Sequence, residues 1–415
     1  MGLQALAYPF LFVAIFFEAF VLVTFLSKDA RAARARKPAR RDAPDLPSVA
    51  VIVPCWNEAR TVGATVESLL ALEYPAEKLE VVLVDNASSD DTPAVMARYA
   101  AHPQVTLLRE EARGKHNAVN AGIRQCEAEI VGCLDADSFV EPSALLAMVP
   151  CFENPSIGAT TAAMSVHEPG NLLQHMQNAE YIFGIARANA LSVVHGIHVT
   201  PGPFSLYRRA LVQSLGGFRA AYQTEDLEMA LRLQRAGYKI ANAPAARVYT
   251  KAPATVLKLV KQRTRWTSGY LRNVLNDYRD MVGSARYGAL GAITLPLGML
   301  AIGSGILLFA LALYQVVHGL VEAVSLRAGI PLSYALAPHA SFGWFYLPAS
   351  LYTLLAALTV LIAAAMIVLG KRISRTPGSL TAGLFGYVLL YGLIAPLWLI
   401  RSTADVALGK TRAWR

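Results

Sequence analysis

Apolar positions along the chain fall into three patterns, and the first is a continuous stretch near the N-terminus. Residues Tyr8–Leu26 have about the length that spans a bilayer, and a run of Lys and Arg follows as far as Arg41. Because basic residues favour the cytoplasmic side, we predict a membrane anchor over residues 1–28 with an external N-terminus, and a basic cytoplasmic linker over 29–46. A cleaved signal peptide is the alternative, but its positive charge precedes the apolar core. Glu18, in mid-span, is a candidate for a polar path through the membrane.

The second pattern, from Pro47 to about Val248, alternates short apolar runs with segments of helical period. The predicted strands are residues 49–53, 79–84, 105–108 and 130–134. The predicted helices between them are residues 58–72, 92–101 and 116–124. This alternation predicts βαβ units and a parallel sheet in a domain over residues 47–250. A Gly-x-Gly-x-x-Gly loop is absent from the sequence, which excludes an ordinary dinucleotide site.

The third pattern combines amphipathic helices with long apolar stretches. Helices are predicted over residues 171–194, which are apolar on one side, and over 224–235, which Gly237 ends. A basic amphipathic region over 251–286, helical from 254 to 279, is expected at the headgroup layer of the membrane. Three further membrane spans are predicted within residues 287–402, at 290–317, 345–369 and 380–400.

The side of the membrane on which the chain ends stays open at this stage. Three spans after a cytoplasmic domain place the C-terminus outside. The tail over residues 403–415 is basic, as is Arg401, and this favours the inside. A re-entrant segment, or two short helices within residues 287–320, would reconcile the two.

Composition supports a membrane protein and excludes several other classes. The 415 residues are 54% hydrophobic and 16% charged, whereas about 25% is usual for a soluble domain. The formal charge of +9 is compatible with nucleic-acid binding, but the basic residues follow the membrane boundaries and no nucleic-acid motif appears. The four cysteines lack metal-ligand spacing, so neither a zinc site nor a disulfide framework is expected.

A pair of carboxylates follows the fourth predicted strand. Asp135 and Asp137 are two positions apart, so in an extended chain they face the same side. Ligands of open α/β sheets bind beyond the carboxyl ends of the strands, where two such carboxylates suit a hard cation and a phosphate-bearing ligand. The alternative is a loop pair that caps the next helix.

Five further motifs surround this pair in a fixed order. They are Val53-Pro54-Cys55-Trp56-Asn57-Glu58, Val84-Asp85-Asn86, Gly114-Lys115-His116-Asn117-Ala118-Val119-Asn120, Thr224-Glu225-Asp226 and Gln262-Arg263-Thr264-Arg265-Trp266. At these residues the chain resembles the inverting, membrane-embedded family 2 glycosyltransferases, which include cellulose, chitin, hyaluronan and poly-N-acetylglucosamine synthases. The motifs cover roughly residues 47–270. The resemblance implies a GT-A α/β cytoplasmic domain combined with transmembrane helices.

The resemblance implies a donor site at the ends of the first strands. Asp85 and the first-strand loop, with Pro54, Trp56 and Glu58, are expected to hold the uridine of a UDP-sugar. Trp56 departs from the smaller aromatic that is frequent there. Lys115 can offer a point charge to the diphosphate, although a solvated lysine at a helix start is the alternative. Asp135 and Asp137 become the site of Mg²⁺ or Mn²⁺, with Asp135 also contacting the nucleotide.

The remaining motifs are assigned to the acceptor side. An inverting transfer needs a base for the acceptor hydroxyl, and the resemblance gives that role to Asp226, with Glu225 in support. Acidic residues at a helix start also favour the helix dipole, with Thr224 as the N-cap residue. Gln262, Arg265 and Trp266 are expected to clamp the diphosphate and the acceptor, although basic-aromatic segments also anchor helices in membranes.

A loop over residues 198–208 resembles the acceptor-side loop of the hyaluronan and chitin synthases. Gly202 and Ser205 are the candidate site residues there, and Gly202 suits a close approach of the backbone to a ligand. A Pro-Gly turn is the alternative explanation of this segment.

We therefore expect a multi-pass protein of the cell membrane that transfers a sugar from a UDP donor to a growing β-linked glycan. The motifs from Thr224 to Trp266 are most similar to the poly-N-acetylglucosamine synthases, so N-acetylglucosamine is the expected sugar. Two alternatives remain: transfer of a single sugar to a lipid-linked acceptor, and a channel with a nucleotide-sensing domain. Accessory or export subunits are compatible with transfer to a growing glycan. The linkage, the acceptor and the oligomeric state are left open.

Overall fold

The computed structural model describes residues 7–326 and 350–410. The first five residues of the predicted span 345–369, and Arg412 and Arg415 of the predicted basic tail, lie outside the described residues.

The described residues form an eight-stranded sheet whose spatial order is β3-β2-β1-β4-β7-β6-β8-β5. The strands are β1 Val49–Cys55, β2 Leu79–Asp85, β3 Val105–Arg109, β4 Ile130–Cys133, β5 Ser138–Val140, β6 Ile157–Val166, β7 Ser205–Arg208 and β8 Lys239–Thr250. Every strand predicted from the sequence is present within one or two residues of its predicted bounds. The strands after β4 are additional, because their apolar runs are shorter or less regular.

The sheet is parallel in one half and mixed in the other. Strands β1, β2, β3 and β4 are mutually parallel, as the βαβ pattern predicts. Strand β7 is antiparallel to both β4 and β6, so the expectation of a parallel sheet is wrong for the second half. Because Ser205 of β7 pairs with Cys133 of β4, the residues that precede β7 lie at the edge where the parallel strands end. An antiparallel strand contributes its N-terminal residues to that edge.

Fourteen α-helices lie within the described residues. They are α1 Tyr8–Leu26, α2 Lys28–Arg34, α3 Val62–Leu70, α4 Thr92–Ala97, α5 Lys115–Gln125, α6 Ala144–Met148, α7 Leu172–Val193, α8 Arg209–Ser214, α9 Glu225–Arg235, α10 Val256–Arg272, α11 Leu295–Leu326, α12 Leu351–Ser374, α13 Thr381–Gly386 and α14 Gly392–Ala407. Wider π-helical turns occupy Asn273–Asp277, Leu290–Thr294 and Tyr387–Tyr391. The basic helix predicted to reach residue 279 therefore ends as an α-helix at Arg272.

Four helical stretches of the described residues are long and apolar enough to cross a membrane. They are Tyr8–Leu26, Leu290–Ser325, Leu351–Ser374 and Thr381–Ala407. They correspond to the four apolar stretches of the sequence. The second, Leu290–Ser325, runs unbroken, so the option of two short helices within residues 287–320 is wrong.

Helix α7 joins the sheet domain to the apolar helices. On one side it packs on the sheet, where Ala186 and Ala190 belong to a buried cluster with Ala159 and Met229. On the other side the long apolar helices approach it through glycines. A Cβ atom added to Gly383 would lie 3.0 Å from the His175 carbonyl oxygen, and one added to Gly386 would lie 3.1 Å from that of Leu172. Only a glycine allows backbones to come so close without displacement.

Candidate functional site

The end of strand β2 presents a buried carboxylate. Asp85 is 3% exposed, and its Oδ1 accepts a hydrogen bond from the Ser88 backbone N–H at 3.2 Å. Its Oδ2 has no hydrogen-bond partner among the described residues. The Asn86 side chain accepts from the Gly114 N–H at 2.8 Å and thereby fixes the loop before Lys115. A buried acceptor without a donor is the feature that a bound polar ligand would satisfy.

The loop after β1 lies against the same edge. Pro54 is within β1, and Trp56 is half-buried in the loop. The Glu58 carboxylate accepts from the Thr61 hydroxyl at 2.6 Å, and the Glu58 N–H donates to the Thr92 hydroxyl at 2.7 Å. Burial raises the pKa of Glu58, and the nearby Asp135 carboxylate raises it further. Glu58 therefore faces the carboxylate pair.

Four segments distant in sequence meet at Lys115. Its Nζ lies 2.5 Å from Asp135 Oδ1 and 3.5 Å from Glu225 Oε1. A Cβ atom on Gly202 would lie 2.6 Å from the same Nζ. Burial alone lowers the pKa of Lys115, but the carboxylates of Asp135, Glu225 and Asp226 outweigh it and hold the pKa well above its usual value. Lys115 is thus a cation at the centre of the site, and a Cβ atom at residue 202 would displace its ammonium group.

Asp137 is the least compensated carboxylate of the site. Burial, followed by repulsion from Asp135 and Glu58, raises its pKa to about 7. Its side chain accepts a weak hydrogen bond from the Ser138 hydroxyl at 3.3 Å. Such an accumulation of negative charge suits a divalent cation with oxygen ligands. No group of three or more His, Cys, Asp or Glu side chains within residues 7–326 and 350–410 is arranged to hold a metal ion by itself.

Asp226 lies at the start of α9, with its carboxylate fixed by backbone donors. Its Oδ1 accepts from the Leu227 N–H at 2.8 Å, and its Oδ2 accepts from the Gly202 N–H at 3.2 Å. Burial and the Glu225 carboxylate raise the pKa of Asp226 to about 6, although Lys115 and Arg265 act in the opposite direction. A carboxylate with this pKa is ionised near neutral pH and is a stronger base than a solvated aspartate.

Thr224 occupies the predicted N-cap position of α9. Its side chain makes no capping hydrogen bond to the helix. The hydroxyl instead donates to the Ala221 carbonyl oxygen at 2.9 Å. Thr224 is therefore the N-cap residue by position, but its side chain is turned back towards the preceding segment.

Helix α10 carries three of the candidate residues, Gln262, Arg265 and Trp266. Arg265 is close enough to lower the pKa of Asp226, and Gln262 has a buried Oε1 without a partner among the described residues. The Trp266 ring is covered on one side by the Arg263 guanidinium, whose carbon lies 4.2 Å from the ring centroid. Arg263 in turn pairs with Glu180 at 2.7 Å.

Arg263 and Glu180 were not among the candidate site residues predicted from the sequence. The available signal was Glu180 itself, the single acidic residue of α7. Ser205, which was a candidate, is fully buried in β7, and its hydroxyl donates to the Pro201 carbonyl oxygen at 2.9 Å. The four cysteines are buried and free.

Comparison with known proteins gives consistent results for the whole sheet domain. The model of the family described as glycosyltransferase like family 2 matches residues 47–269, which is more than half of the chain. The chain is 28% identical over 285 residues to the poly-beta-1,6-N-acetyl-D-glucosamine synthase of Staphylococcus aureus (strain COL), with 68% of each chain covered. The synthase of the same name from Staphylococcus epidermidis is 31% identical over 234 residues, with 55% of this chain and 56% of that protein covered.

A solved structure resembles the described chain over nearly its full length. A mannosyltransferase from Pyrobaculum calidifontis, in complex with GDP-Man and Mn²⁺, superposes with a TM-score of 0.61 and 21% sequence identity. The superposition covers 99% of this chain and 100% of the mannosyltransferase. At this identity the likeness concerns the fold.

Proposed function

The chain belongs to the glycosyltransferase family 2, and from this premise we propose that it polymerises N-acetylglucosamine from a UDP donor into a β-linked polysaccharide at a membrane. The Staphylococcus relatives that bear the name of poly-beta-1,6-N-acetyl-D-glucosamine synthase support this choice of sugar and product. The observation that carries the proposal is the convergence of Asp135, Glu225, Gly202 and Asp226 around the Lys115 ammonium group.

On the donor side, Asp85 would accept hydrogen bonds from the nucleoside with its unpartnered Oδ2. Lys115 would exchange its contact with Asp135 for the diphosphate. Asp137 and Asp135 would hold Mg²⁺ or Mn²⁺, and the uncompensated charge at Asp137 supports this assignment. The donor phosphates would complete its ligand shell. When bound, the cation supplies neutralisation of the charge on the leaving diphosphate.

On the acceptor side, Asp226 would take the proton of the acceptor hydroxyl as that oxygen attacks the sugar carbon and the bond to UDP breaks. The Gly202 and Leu227 N–H groups hold the carboxylate in one orientation. Trp266, supported by Arg263, would offer the acceptor sugar a flat apolar face. The apolar helices would hold the site at the cytoplasmic face of the cell membrane and can provide a path for export.

The purified protein, incubated with a panel of UDP-sugars with and without Mg²⁺ or Mn²⁺, tests this proposal. We expect UDP release with UDP-N-acetylglucosamine only when a divalent ion is present, and a product of many sugars. A discrete lipid-linked monosaccharide would reject polymerisation. Release that persists in a chelator would reject the metal site.

A further inference from the structure

Three consecutive residues before the catalytic helix have left-handed backbone conformations. The φ angles of Ala221, Tyr222 and Gln223 are +40°, +56° and +66°. Residues with side chains rarely adopt such angles, and a run of three that includes a bulky tyrosine is unusual. Such a conformation persists only where its surroundings impose it, and such sites cluster near active centres. The segment ends two residues before Glu225.

One buried amide side chain holds this segment. Asn273 has no exposed surface, and its Nδ2 donates to the Ala221 carbonyl oxygen at 3.3 Å and to the Thr224 hydroxyl at 3.1 Å. The same nitrogen donates to the Gly269 carbonyl oxygen at 2.9 Å. Because the Thr224 hydroxyl also donates to Ala221, these groups close a small network across the left-handed segment.

The network lies on the face of α10 that carries the site. Arg265, Gly269 and Asn273 are four residues apart and therefore share one side of the helix. Arg265 acts on the Asp226 carboxylate, and Gly269 lies so close to Thr224 that a Cβ atom there would overlap its side chain. This face of α10 thus runs along the chain from Asp226 back to Ala221.

A second contact fixes α9 to the segment that follows α10. Asn273 opens the π-helical turn Asn273–Asp277, and wider turns of this kind are frequent at functional sites. The hydroxyl of Tyr278, just beyond it, donates to Glu228 Oε1 at 2.6 Å. Glu228 is buried on α9, two residues after Asp226. Helix α9 is therefore held at both its start and its first turn.

We propose that Asn273 is a positioning residue for sugar transfer: it holds residues 221–223 in their left-handed path and thereby sets Asp226 against Arg265 and the acceptor. The proposal rests on the proposed function of Asp226 as the base. It predicts that loss of the amide slows the chemical step while donor binding is unchanged.

A double-mutant cycle on the full-length protein tests the coupling. Asn273→Ala and Thr224→Val each remove one side of the contact, and we expect each to lower kcat by about tenfold or more with the KM for the UDP-sugar unchanged. The double variant should be no slower than the slower single variant, because both changes break one network. Additive losses, or an unchanged kcat in Asn273→Ala, would overturn the proposal.

Asn242→Ala is the matched control. Asn242 is also a buried amide whose Nδ2 donates to neighbouring residues, at 3.1 Å to the Thr161 hydroxyl, while its Oδ1 lacks a partner among the described residues. It lies in β8, away from residues 221–224. A comparable loss of thermal stability with kcat retained is expected, which separates positioning from general destabilisation.

Hydrogen exchange at the amides of residues 221–228 gives a readout that needs no turnover. Asn273→Ala should speed exchange there, whereas Asn242→Ala should not. If Asn273→Ala does not fold, Thr224→Val, which removes the hydroxyl that Asn273 contacts, replaces it. Faster exchange with lower kcat then supports the proposal, and unchanged exchange and kcat overturn it. Wild-type protein inactive with every UDP-sugar would refute the proposed function, and exchange alone would then decide whether Asn273 holds the segment.

Discussion

The two halves of the sheet bring functional residues to one edge by different means. In the parallel half, Asp85 and Asp135 lie at or just beyond the ends of β2 and β4, so the topology alone places them together. In the mixed half, Gly202 precedes β7 and Asp226 opens α9, and hydrogen bonds hold them in place. On the proposed assignments, donor binding depends on the ends of strands, whereas the chemistry depends on a network of packed loops and helices. The two should respond differently to change.

Replacement of the proposed base is expected to give the largest difference between the effect on catalysis and the effect on donor binding. Asp226→Asn should lower kcat by about 10² to 10⁴-fold, because the amide cannot accept the acceptor proton, while UDP binding in the presence of Mn²⁺ is retained. UDP release and calorimetric binding measure the two effects. Asp280→Asn, at a half-exposed ion pair with Arg235, is the control and should change neither. Full turnover in Asp226→Asn would reject Asp226 as the base.

The Arg263–Glu180 pair tests whether the mixed half is stabilised by its contact with α7. Arg263→Met leaves the partly buried Glu180 without its partner, which should lower the free energy of unfolding by about 2 kcal/mol, measured by denaturation in detergent. We also expect shorter products, because the Trp266 ring loses its cover. The exposed pair of Arg109 and Glu111 offers the control Arg109→Met, for which no measurable change is expected. Products of wild-type length would show that this cover of Trp266 is not needed for acceptor binding.

The pH dependence gives the smallest but most direct comparison. Asp137 must be ionised to hold a cation, so UDP affinity with Mn²⁺ should fall about tenfold per unit as pH decreases below about 7. Asp226 must be ionised to act as a base, so kcat/KM should fall more steeply once pH is below about 6. Both losses occur on acidification because each pKa is raised and the active form is the carboxylate. A single ionisation in both profiles would contradict separate roles.

The sequence predicted the parallel half far better than the mixed half. The GT-A fold and the membership of family 2 are confirmed, because an apolar run that ends in a carboxylate marks both a strand and its functional edge. The direction of β7 could not be predicted, since four residues give no sign of their partner strand. The contacts of Asn273 and Arg263 could not be predicted either, because their partners Thr224 and Glu180 lie 49 or more positions away in the sequence. The individual site assignments remain predictions.

The close packing of α7 against Gly383 and Gly386 ties the catalytic domain to the apolar helices. Met176 and Ile182 are almost fully buried, and both belong to clusters that include residues of the apolar helices. An excised catalytic domain would expose this surface, so we expect it to aggregate rather than to behave as an independent enzyme. Exchange of the membrane part between related synthases would for the same reason require exchange of α7 with it. The catalytic domain and its apolar helices are therefore expected to fold as a single unit.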